Sequence, residues 1–118
     1  MKINYVTLGT NDRARAEEFY NRLLVDSPFQ KVYSEDRMTM WVNDAFMFAL
    51  AEPFDGKAAT IGNGSMIGFQ VDSDAEVDRL YNLALSLGGK DEGEPRIRSG
   101  HHSAYVRDLD GNKICLLA

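Results

Sequence analysis

Cysteine is all but missing: Cys115 is the one thiol in 118 residues. That excludes an intramolecular disulfide framework and fits a reducing, cytoplasmic setting. Histidine is nearly as scarce, confined to the adjacent pair His101-His102. No apolar run approaches the roughly 20 residues a helix needs to span a bilayer. The opening MKINYVTLGTND turns polar too early to read as a secretory signal. A basic excess is also lacking, since 13 Lys and Arg face 18 Asp and Glu for a net charge of −5. That balance argues against nucleic acid as a partner, because its binders carry a basic stripe. It leans toward neutral or cationic small molecules. What remains is ordinary: 44% hydrophobic and 26% charged residues, one domain's worth of chain with enough apolar surface to bury a single core.

The apolar pattern runs through the same order twice. Lys2–Leu8 alternates with the period of two of a strand. Gly9-Thr10-Asn11-Asp12 supplies a turn and helix N-cap candidates. Ala16, Phe19, Tyr20, Leu23 and Leu24 then form the stripe of a helix lying on a sheet, which has ended by Pro28. Strand-like runs follow at Lys31–Ser34, Met38–Val42 and Ala45–Leu50, with Asp36-Arg37 and Asn43-Asp44 as turns between them. After a Gly-rich stretch at 56–64, Met66–Val71 reads as a strand and Ser73-Asp74-Ala75-Glu76 as a capping box. Val77, Leu80, Tyr81, Ala84 and Leu87 make the second helical stripe, stopped by Gly88-Gly89. Strands around Arg96–Arg98, Ser103–Arg107 and Lys113–Leu117 complete the repeat, the last two joined at Asp110-Gly111, a tight-hairpin signal.

An offset of 61 residues carries Tyr5 onto Met66 and Tyr20 onto Tyr81. A βαβββ unit covers one face of its sheet with its own helix and leaves the other face in need of a partner. The expected fold is therefore α+β, a single domain over 1–118. Module one spans 1–55, a linker 56–64, and module two 65–118. Two such sheets curling together, within one chain or between two, would enclose a ligand cup.

The segments Asn4-Tyr5-Val6-Thr7-Leu8-Gly9, Glu18-Phe19-Tyr20 and Tyr105 through Ile114, with its Asp-x-Asp-Gly-Asn turn, resemble small vicinal-oxygen-chelate proteins. That superfamily includes glyoxalase I, extradiol dioxygenases, fosfomycin-resistance proteins and bleomycin-binding proteins. The resemblance covers nearly the whole chain. It implies a curled mixed-sheet cup of two βαβββ modules, and frequently a homodimer. Metal-dependent members place His on the first strand of a module and Glu or His near its last. The matching positions here are Tyr5, Met66 and Cys115, with the fourth falling near Phe48. None is the imidazole or carboxylate that Mn²⁺, Mg²⁺ or Ni²⁺ prefers. The expectation is therefore no metal and no cofactor, with these four side chains paving an apolar pocket floor.

Other side chains are weighed against plainer roles. His101 could enter the cup as a general base, or be a solvated loop residue beside His102. Arg96 and Arg98 alternate with Ile97, and could offer a guanidinium to an anionic ligand or simply line an exposed strand edge. Trp41 is either sheet core or a ligand-stacking wall. Cys115 reads as a buried inert thiol, since nothing in the sequence places it at a helix N-terminus or beside a cation. The ligand pocket is expected from Tyr5, Trp41, Phe48, Met66, His101 and Cys115. The function so reached is a metal-independent small-molecule-binding module for a hydrophobic or cationic ligand. The alternative is a glyoxalase-like lyase or isomerase, or a dioxygenase-related enzyme, with a non-standard site.

Overall fold

A computed structural model describes all 118 residues, Met1–Ala118. The chain divides into two compact units, Met1–Thr60 and Ile61–Ala118, and the division falls inside the glycine-rich stretch. No helix is long and apolar enough to cross a membrane.

The first unit runs β1 (Tyr5–Gly9), α1 (Arg13–Leu23), β2 (Gln30–Glu35), β3 (Met38–Asn43) and β4 (Phe46–Ala51). Its four-stranded sheet has the order β1-β4-β3-β2, with β1 parallel to β4 and the other pairs antiparallel. Asp12 caps α1, its side chain accepting from the Arg15 amide. Ala16, Phe19, Tyr20 and Leu23 are the buried residues of the helix. Tyr20 packs against Phe48 and Trp41, with ring centroids 4.9 and 6.3 Å away. Trp41 lies opposite Phe48 in the β3–β4 register, and Phe48 lies opposite Val6. All three therefore project to the helix side, as side chains on paired positions must.

At the polar edge of the same layer, Glu17 of α1 is held by the strands beneath it. Its carboxylate accepts from Ser34 Oγ at 2.6 Å, Thr39 Oγ1 at 2.9 Å, Lys31 Nζ at 2.9 Å and Arg13 at 2.9 Å. Burial pushes this carboxyl up, but the donations from Ser34, Lys31 and Thr39 outweigh it and bring the pKa down to about 2. The ionised form is thus favoured by folding. Its stabilisation is complete above the unfolded value of 4.5 and is lost as pH falls from there through about 2. The shift corresponds to at most about 3 kcal/mol. Urea unfolding of the native chain and of Glu17→Gln should differ by that order at pH 7 and converge toward pH 2. A gap that does not change with pH would remove Glu17 as the titrating group.

The second unit repeats the order as β5 (Ile67–Gln70), α2 (Asp74–Ser86), β6 (Lys90–Arg98), β7 (His101–Arg107) and β8 (Lys113–Leu117). The sheet order is β5-β8-β7-β6, with β5 parallel to β8. Ile114, Leu116, Val106 and Ala104 are fully buried on the helix side, with Val77, Leu80, Tyr81 and Ala84 of α2. Ser73 caps α2 by accepting from the Glu76 amide, while the Glu76 carboxylate pairs with Arg79. Gly89 must be glycine: a Cβ there would meet two backbone carbonyl oxygens, of Ala84 and Arg107, at 2.8 Å.

Three details of this unit depart from the sequence reading. The β6 strand is nine residues long rather than three, because register shifts at Asp91/Gly93 and Gly93/Arg96 break its alternation. The His101-His102 pair begins β7 instead of preceding it. Asp110-Gly111 is not a two-residue hairpin. Instead the chain from Asp108 to Asn112 wraps the Asp108 carboxylate, which accepts from the Asp110 and Asn112 amides and from Asn112 Nδ2.

Candidate functional site

The helix-free face of each sheet is fixed by alternation and register. In the first sheet Tyr5, Thr7 and Gly9 lie beside Met47, Ala49 and Ala51, which lie beside Val42, Met40 and Met38. The strip is apolar and only partly covered: Tyr5 is 59% exposed, while Ala49 is fully buried among larger neighbours. Phe48 is not part of it. Thr7 and Gly68 stand at the same 61-residue offset as Tyr5 and Met66. Thr7 pairs with Ala49, and Gly68 pairs with Cys115. The first-unit counterpart of Cys115 is therefore Ala49, one residue from the position expected. Phe48 belongs to the core under α1. Trp41 is 2% exposed and packs there too, which resolves it as sheet core. Its edge also reaches a shallow cleft beside the end of α1, lined by Asn21, Leu24, Val25, Phe29 and Lys31.

The second sheet's helix-free face is different in character. One row across it reads Gly68, Cys115, Tyr105, Gly93, and the adjacent row contains Leu117, Ser103 and Arg96. On the other side of the first row lie Lys113 and Arg107. Met66, just before β5, is 50% exposed. Gly68 is exposed on the edge strand β5, and a Cβ built there would meet only Leu117 Cδ2, at 3.6 Å, so this end of the row beside Cys115 is an open notch in the side-chain layer rather than an enclosed cavity. The Arg98 guanidinium lies 5.0 Å from the Tyr105 ring centroid and Lys113 Nζ lies 5.1 Å from it. Arg98 is held there by donating to the Ser103 and Glu94 carbonyls. Burial pushes the Cys115 thiol up, against a hydrogen bond from Tyr105 and the nearby charges of Arg98 and Lys113. Cys115 is 6% exposed and protonated at neutral pH, a poor nucleophile.

The two histidines separate as alternation requires. His102 points to the helix side, where Nε2 meets Asp78 Oδ1 at 2.8 Å. His101 is exposed, lies opposite Arg98 in register, and has Nδ1 3.2 Å from the Ala118 carbonyl oxygen. Tyr105, Lys113 and Ser103 were not singled out by sequence. The signal for them was the period of two through Cys115, which puts Lys113 and Leu117 on its face, followed by one step across the ladder.

At the positions that the resemblance pairs with metal ligands stand a phenol (Tyr5), a thioether (Met66) and a thiol (Cys115), and the register puts the methyl group of Ala49 at the fourth. These do not make the imidazole and carboxylate set of a hard divalent ion. No three His, Cys, Asp or Glu side chains gather to form one elsewhere.

Residues 2–116 match the family model of the Glyoxalase/Bleomycin resistance protein/Dioxygenase superfamily. Among solved structures, a glyoxalase/bleomycin resistance protein from Albidiferax ferrireducens T118 is 33% identical. It superposes with a TM-score of 0.90, over 98% of this chain and 96% of that one. Lactoylglutathione lyase from Agrobacterium tumefaciens (23% identity, TM-score 0.73, 98% and 92% covered) shares the fold. So does the fosfomycin resistance protein FosX from Mesorhizobium loti (22%, 0.74, 99% and 91%). No curated protein matches the chain.

Proposed function

The chain belongs to the Glyoxalase/Bleomycin resistance protein/Dioxygenase superfamily, and from that premise we propose that it is a metal-independent member that binds a small molecule. The site is the helix-free face of the second sheet, and the notch at Gly68 is the observation that carries the reading. Cys115 and then Tyr105 follow Gly68 along the row, Leu117 stands in the next row, and Met66 lies just before β5. Such a lining holds an apolar or aromatic body by area rather than by coordination. Tyr5 and Met66 offer weak donors where an ion would need strong ones. The single reduced thiol supports a cytoplasmic protein. The half-exposed apolar strip of the first sheet supports a homodimer.

The competing reading is a metal-dependent lyase or isomerase, or a dioxygenase-related enzyme, with other ligands. It draws on the name of the Agrobacterium tumefaciens relative. Elemental analysis separates the two, after incubation with Ni²⁺, Zn²⁺ and Mn²⁺ and exhaustive desalting. Metal well below one equivalent per chain is expected. A value near one per chain or per dimer would overturn the metal-independent reading and send the protein to lyase and isomerase assays.

A further inference from the structure

Deepening that binding reading, on which it rests, we propose that the ligand is an anion. Its apolar body occupies the Gly68 notch and a carboxylate or other singly charged oxyanion head lies against Arg98 and Lys113. The whole-chain charge of −5 hides a local reversal of sign. Two cations converge on the ring of Tyr105, at 5.0 and 5.1 Å, and neither forms an ion pair with a carboxylate. Arg107, on the same face, is by contrast neutralised by Glu92 at 2.8 Å. Two like charges gathered on one partly buried ring leave a place for a counter-charge.

Two independent features show that the arrangement is built. Gly93 lies beneath the guanidinium, where a Cβ would stand 2.9 Å from Tyr105 Cδ2 and 3.0 Å from an Arg98 nitrogen. The missing side chain is what admits Arg98 to the ring. Ser103 is 4% exposed, on the same face as Tyr105, and its hydroxyl has no hydrogen-bond partner. Buried hydroxyls are rarely left so. Its backbone carbonyl is one of the two that anchor Arg98. A ligand oxyanion seated beside Arg98 would bring an acceptor to this donor. The anion is thus met by a guanidinium, an ammonium and a hydroxyl, with the aromatic edge beside them.

Cys115 is the only thiol and is 6% exposed, so its alkylation by iodoacetamide is slow and requires this face to open, which a bound ligand opposes. Benzoate and benzylamine present the same ring with opposite charge. At equal concentration benzoate should slow alkylation several-fold more than benzylamine. In Lys113→Met, checked by its thermal unfolding, benzoate protection should fall to the benzylamine level. Equal protection by the two, stronger protection by benzylamine, or a preference that survives in Lys113→Met would overturn the anion assignment while leaving the binding reading intact. Protection by neither would remove both.

Discussion

Phe48→Ala is expected to lower the unfolding free energy by about 3–5 kcal/mol, the cost of emptying a fully buried aromatic site. Phe48 is 0% exposed and its ring touches both Tyr20 and Trp41, at 4.9 and 5.6 Å between centroids. Tyr20 comes from α1 and Trp41 from the neighbouring strand β3, so these rings cannot collapse into the gap without moving the helix against the sheet. Met47→Ala, one residue earlier, removes a half-buried side chain from the opposite face and should cost less than half as much. Equilibrium urea unfolding of both variants reads the difference. Similar losses for the two would mean that β4 presents its faces the other way round. That outcome would also restore Phe48 to the helix-free face and take Ala49 off it.

That one-residue distinction marks the limit of what the sequence told. Helical stripes at Ala16–Leu24 and Val77–Leu87, strand alternation and the 61-residue repeat located both units and their element order, because each is a local periodicity. Which side of β4 meets the helix is set by pairing with β1, where Val6 takes Phe48 and Thr7 takes Ala49. A slip of one residue exchanges the faces. Tyr5, Met66 and Cys115 needed no such pairing, since the resemblance carried them by motif. The cation pair was out of reach for another reason. Net charge sums the whole chain, whereas Arg98, Tyr105 and Lys113 come from three strands and meet only across the ladder. Gly93 and Ser103 are likewise silent in sequence, because their meaning lies in what stands over them.

Asp108→Ala is expected to be the most damaging change of a polar residue, at about 3 kcal/mol or more. Asp108 is 5% exposed, and one carboxylate oxygen accepts from two backbone amides, those of Asp110 and Asn112, each at 2.9 Å. The other accepts from Asn112 Nδ2 at 3.0 Å. The backbone closes the same loop through Asp108 N to the Asn112 carbonyl and Gly111 N to the Asp108 carbonyl. Gly111 takes a φ of +88°, the left-handed region that glycine enters without strain. Alanine at 108 would strip a partner from the Asn112 amide inside the fold. It would also loosen the entry to β8, the strand that carries Lys113, Cys115 and Leu117. Asp108→Asn keeps one carbonyl oxygen for the amides and should lose less, about 1–2 kcal/mol. Iodoacetamide labelling adds a second readout, because a loosened β8 exposes Cys115 before the chain unfolds. Faster labelling in Asp108→Ala than its global stability accounts for would tie the loop to the site. A stability loss below about 1 kcal/mol would show that the carboxylate merely decorates a turn the backbone already holds.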